Sequence, residues 1–178
     1  MAPNPITPRA EATLPLADES ATAAFGRALA RWLDAQRDPL RAHGFVLGLS
    51  GDLGAGKTVL VRALLRALGV TGPVKSPTFT LLEPYVISSL NFYHFDFYRF
   101  SEPAEFDAAG FRELFGAGSV CLVEWPERVT GRLPTPDLFV TLHVKDEGRA
   151  AQCAATSEAG VQCLQQAVTT MKETAGGG

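Results

Sequence analysis

Apolar residues recur along this chain with two periods, and the changes between them outline alternating helices and strands. Over residues 20–36, Ala24, Phe25, Ala28, Leu29, Trp32 and Leu33 return at helical spacing, which predicts an amphipathic helix with Asp18 or Ser20 as its N-cap. Residues 45–50 form a short continuous apolar run, the pattern of a strand covered on both faces. A glycine-rich turn follows, and Val59, Leu60, Ala63, Leu64 and Leu68 then resume the helical period up to Gly69. Residues 80–85 and 90–95 read as strands across a polar Ser88-Ser89 turn, and Pro84, which cannot donate to a ladder, marks an edge or a strand end. Residues 102–115 read as a short helix, 120–123 as a second buried strand, 138–144 and 149–156 as further strands, and 157–172 as a closing helix.

This interleaving predicts an α/β fold with a mostly parallel central sheet and an antiparallel flank. The chain has 178 residues, 46% of them apolar, which is the size and core content of one domain. The expected organisation is a proline-bearing tail over residues 1–12, a single domain over 13–173 and a flexible tail over 174–178. The net charge of −3 has the wrong sign for gripping nucleic acid unaided, so any RNA would have to be held through a partner. Cys121, Cys153 and Cys163 show neither a disulfide framework nor zinc-ligand spacing and read as core thiols. No apolar run approaches the roughly 18 residues that span a bilayer, and the expected location is the cytoplasm, with no membrane partner.

The strongest chemical signal is Gly51-Asp52-Leu53-Gly54-Ala55-Gly56-Lys57-Thr58, which fits G-x-x-x-x-G-K-[ST] and lies between a predicted strand and a predicted helix. Such a P-loop curls so that backbone N–H groups face inward at phosphates, and the positive end of the next helix adds to the attraction. Lys57 would reach the β- and γ-phosphates, and the Thr58 hydroxyl would serve Mg²⁺. The loop turns the α/β prediction into a P-loop NTPase-like three-layer fold.

Three further segments refine the chemistry. Glu124 ends the apolar run 120–123, where a second metal-orienting carboxylate belongs, and Trp125 follows it as a core or base-stacking residue. In residues 93–100 the alternation puts His94, Asp96 and Tyr98 on one face if the strand continues. Asp96 is then a candidate to orient an attacking water, and Arg99 to stabilise transition-state charge; a structural ion pair among Asp96, Arg99 and His94 is the alternative. Residues 75–80 supply a hydroxyl-rich loop in which Thr78 and Thr80 are candidate γ-phosphate sensors. The guanine-selective Asn-Lys-x-Asp motif is absent, which favours ATP over GTP.

Taken in order, the P-loop, Val74-Lys75-Ser76-Pro77-Thr78-Phe79-Thr80-Leu81, His94-Phe95-Asp96-Phe97-Tyr98-Arg99, Gly110-Phe111-Arg112-Glu113 and Leu122-Val123-Glu124-Trp125-Pro126 resemble the bacterial TsaE (YjeE) family over residues 14–155. The resemblance implies a slow ATPase of tRNA threonylcarbamoyladenosine biosynthesis that binds ATP or ADP with Mg²⁺. It would act with TsaB-like and TsaD-like partners on adenosine 37 of tRNAs reading codons that begin with A, touching tRNA only through them. It further implies the metal role for Glu124, the hydrolytic role for Asp96, and places near the nucleotide for Glu19, Val59 and Arg149. Val59 stands where a second Thr is frequent, and Phe79 where Tyr is common. A small-molecule kinase with Asp96 as base, and a nucleotide-dependent docking module, are the rival readings.

Overall fold

A computed structural model describes residues 7–176. Its centre is a seven-stranded sheet in the order β1-β7-β6-β2-β5-β4-β3. The strands are β1 (Ala10–Leu16), β2 (Phe45–Ser50), β3 (Leu82–Ile87), β4 (Leu90–Asp96), β5 (Ser119–Glu124), β6 (Leu138–Val144) and β7 (Arg149–Ala155). The middle four, β6, β2, β5 and β4, run parallel. Antiparallel pairs complete both sides: β4 with β3, β6 with β7, and β7 with β1. The expected α/β sheet with a parallel centre is present, and the antiparallel flank is double.

Alternation along the strands sorts side chains to two cores. On β5, Val120 and Leu122 join one cluster and Cys121 and Val123 the other. The first cluster packs under α1 (Glu19–Ala35), α3 (Lys57–Ala67) and α5 (Glu158–Gly176). The second is rich in phenylalanine: Phe95, Phe97 and Phe100 pack with Phe106 of α4 (Ala104–Ala108) and beneath a 3₁₀ turn at Phe111–Leu114. Helices thus cover both faces, giving three layers. Asp18 caps α1 by accepting from the Ala21 N–H at 2.8 Å.

Several boundaries differ from those read in the sequence. β1 begins at Ala10, inside the segment expected as a tail, and pairs along its length with β7; residues 1–6 lie outside the described residues. Residues 174–176, also expected as a tail, continue α5, and 177–178 are outside the description. A further helix, α2 (Arg37–His43), tolerates Pro39 because its first turn needs no donor there, and it stops at Gly44. The helix expected over 102–115 breaks in two at Gly110, whose φ of 72° is left-handed. β3 starts at Leu82 because residues 77–81 form a turn closed by the Leu81 N–H on the Pro77 carbonyl at 2.6 Å. All three cysteines are free and buried, and burial raises every one of their thiols.

The approach of α1 to α3 matters most for the site, because α3 begins at Lys57. Gly26 makes that approach close: a Cβ there would stand 2.4 Å from the Leu60 carbonyl oxygen. Gly26→Ala must push the helices apart, and we expect a loss of about 1–3 kcal/mol of stability in denaturant titration. An unchanged unfolding midpoint would show that the two helices are not held this tightly.

Candidate phosphate-binding site

The loop between β2 and α3 leaves the sheet where a buried strand ends and a helix begins. Gly51 has φ 132°, and a Cβ on it would meet the Leu142 carbonyl at 2.5 Å; Gly56, φ 108°, presses against the Arg149 side chain. These backbone demands explain the glycines. Gly56 caps α3 without any side-chain hydrogen bond, so the free N–H groups of the first turn face outward with the positive end of the helix.

In front of that turn lies a cleft of about 280 Å³. Leu53, Gly54, Gly56, Lys57, Thr58 and Val59 line it from the loop side. Glu19 from the start of α1, Arg149 from the start of β7, and Asp96, Glu124 and Trp125 from the strand ends close it. Gly51, Asp52 and Ala55 of the loop do not line it. The carbonyls of Gly51 and Asp52 accept from the Lys57 ammonium at 2.5 and 2.9 Å, and the Ala55 N–H closes the turn on the Asp52 carbonyl at 3.0 Å.

Lys57 is 4% exposed, and burial lowers its pKa against the upward pull of Glu124, Glu127, Asp96 and Asp52. Its ammonium lies 4.1 Å from the centre of the Trp125 ring. Trp125 takes a left-handed backbone, φ 60°, while its N–H bonds to the Leu49 carbonyl at 3.0 Å, and its ring packs on Tyr98. Strain of this kind at a strand end aims a large side chain over the cleft.

Parallel pairing sets Asp96 of β4 directly beside Glu124 of β5. Both carboxylates are buried, at 3% and 2% exposure. Each has its own donors. The Thr58 hydroxyl approaches both Glu124 oxygens, at 2.9 and 3.1 Å, and His94 Nε2 lies 2.8 Å from Oε1. Asp96 Oδ2 accepts from the Ser76 and Thr78 hydroxyls, the latter at 2.9 Å, and Oδ1 accepts from the Tyr98 N–H at 2.9 Å.

Among the described residues no group of three or more His, Cys, Asp or Glu side chains gathers as a metal cage. Thr58 and Glu124 nonetheless form a hard-oxygen pair facing the cleft, and among the described residues the salt-bridge partner of the carboxylate is His94. That suits Mg²⁺, which takes one or two protein oxygens and fills its shell with water and phosphate oxygens.

Three of these readings fail. Arg99 does not line the cleft; it follows the end of β4 at Asp96, and the guanidinium lies 4.3 Å over the exposed Phe79 ring. The ion pair among Asp96, Arg99 and His94 is absent, since Asp96 takes hydroxyl donors and His94 turns to Glu124. Thr80 lines a neighbouring groove instead of the cleft, whereas Ser76 and Tyr98, not singled out from the sequence as ligands, do line it. Tyr98 was signalled by its shared parity with Asp96, and Ser76 only as part of the hydroxyl-rich loop 75–80.

A family model described as "Threonylcarbamoyl adenosine biosynthesis protein TsaE" matches residues 16–152. The chain is 40% identical over 146 residues to the tRNA threonylcarbamoyladenosine biosynthesis protein TsaE of Haemophilus influenzae, covering 80% of this chain and 89% of that one. It is 37% identical over 127 residues to the protein of the same name from Treponema pallidum, covering 71% and 87%. The crystal structure of Bacillus subtilis YdiB superposes with a TM-score of 0.66 at 26% identity, over 90% of this chain and 95% of that one. A P-loop between β2 and α3, an acid at the end of β5 and this breadth of similarity agree: the chain belongs to the TsaE family of tRNA threonylcarbamoyladenosine biosynthesis proteins.

Proposed function

We propose that this protein binds ATP or ADP with Mg²⁺ in the cleft and hydrolyses ATP slowly, as one component of the cytoplasmic machinery that forms N6-threonylcarbamoyladenosine at position 37 of tRNAs reading codons that begin with A. The observation that carries the reading is the convergence of Lys57, Thr58, Asp96 and Glu124 on one cleft at a helix N-terminus. The α3 N-terminus and the loop N–H groups would hold the phosphates. Lys57 would exchange the Gly51 and Asp52 carbonyls for phosphate oxygens, a stronger partnership for an ammonium held in a buried place.

Thr58 and Glu124 would hold Mg²⁺, which supplies charge neutralisation between the β- and γ-phosphates. Asp96, fixed by three donors, stands beside that position and would orient a water for attack. Glu19, Val59 and Arg149 line the cleft and would meet the nucleoside end, and Trp125 would cover Lys57. Arg99, turned onto Phe79, receives no hydrolytic role in this reading. TsaB-like and TsaD-like proteins would be the partners and would hold the tRNA, in keeping with a net charge of −3.

The site divides the labour between its residues, and the division is measurable. Lys57→Ala should weaken ADP binding, whereas Asp96→Asn should bind ADP as the parent does and lower ATP turnover by roughly 10²–10⁴-fold. Equal loss of binding in both variants would contradict the division. In cells, depletion of the protein should remove threonylcarbamoyladenosine from bulk tRNA, as read by nucleoside mass spectrometry. The wild-type gene should restore it, and the Lys57→Ala gene should not. Normal modification after complete depletion would overturn the assignment.

A further inference from the structure

We propose that His94 is a positioning residue for Glu124, fixing the direction of that carboxylate and with it the strength of the divalent-cation site. The inference rests on the metal role of Glu124 set out above. His94 is fully buried, at 0% exposure, on the face of β4 that also carries Leu90 and Phe92 toward the helical core. An apolar ring would fill that space without the cost of burying imidazole nitrogens. Nδ1 in fact has no hydrogen-bond partner, so the ring is tethered through Nε2 alone.

The register explains the tether. His94 pairs with Leu122 and Asp96 with Glu124, so Glu124 is the diagonal neighbour of His94 on the adjacent strand. Because an ionised carboxylate only accepts, Nε2 carries the proton and donates to Oε1 at 2.8 Å. Thr58 is the other donor to that carboxylate. A hydroxyl that gives a lone pair to a cation keeps its proton for Glu124 but must aim it from the cation's side, so His94 is the second, independent anchor that keeps this flexible side chain in one rotamer. Outer-shell partners of this kind change metal affinity by about 10–100-fold.

Calorimetric titration of ADP, with Mg²⁺ and with EDTA in its place, separates positioning from packing. In wild type, Mg²⁺ should tighten ADP binding. His94→Leu should lose about 10-fold or more of that tightening while keeping its ADP affinity in EDTA. His94→Gln, whose amide nitrogen reaches the place of Nε2, should recover most of the tightening, and His94→Asn, which reaches only as far as Nδ1, should not. If His94→Leu does not fold, the contrast between Gln and Asn decides.

Full tightening in His94→Leu, equal behaviour of Gln and Asn, or a parallel fall in EDTA would overturn the proposal. Glu124→Ala distinguishes the two levels of the argument. Full tightening in that variant would remove the metal reading and the His94 proposal together. Loss of tightening there with retention in His94→Leu would remove only the His94 proposal.

Discussion

Two carboxylates buried side by side, Asp96 and Glu124, are the constraint around which the site is organised. Their strands pair in parallel register, so their backbones hold them adjacent, and each is almost wholly removed from water. Charges so placed are tolerated only when each is met by donors. Glu124 has Thr58 and His94; Asp96 has Ser76, Thr78 and the Tyr98 N–H. Lys57 contributes a positive charge felt by both. The P-loop helix, the 76–78 segment and the two strand ends are thereby tied to one another by the need to satisfy these two acids.

The same arrangement leaves the two acids with different surroundings. The partner of Glu124 toward the cleft is the Thr58 hydroxyl in the first turn of the P-loop helix, a group whose lone pairs are free for a cation. The partners of Asp96 belong to a loop outside the P-loop, in which Leu81 takes a left-handed backbone before β3 begins. One acid is thus coupled to the phosphate loop and the other to the segment facing it. That separation underlies the assignment of metal binding to Glu124 and of water orientation to Asp96.

Legibility in the sequence followed the range of the interactions. The P-loop is local: its glycines, its lysine and the apolar run before it lie within a few residues, and the structure places them between β2 and α3 as read. Glu124 was legible because a continuous apolar strand ended on it. β1 was not legible, because only Leu14 and Leu16 are buried and its partner β7 lies at the other end of the chain. Arg99 was misplaced because its role was read from residue type, although the alternation already set it on the face opposite Asp96; Phe79 captures the guanidinium. The contact of His94 with Glu124 depends on strand register, which no local pattern states.

A crystal structure with Mg²⁺ and a non-hydrolysable ATP analogue would show whether the cleft holds nucleotide and cation through these residues. Phosphates should lie against the first turn of α3, with Lys57 moved from the Gly51 and Asp52 carbonyls onto them. The Thr58 hydroxyl should lie at about 2.0–2.1 Å from the cation, with Glu124 oriented toward the same ion. A nucleotide bound elsewhere, or a cation held without Thr58 and Glu124, would contradict this arrangement of the site.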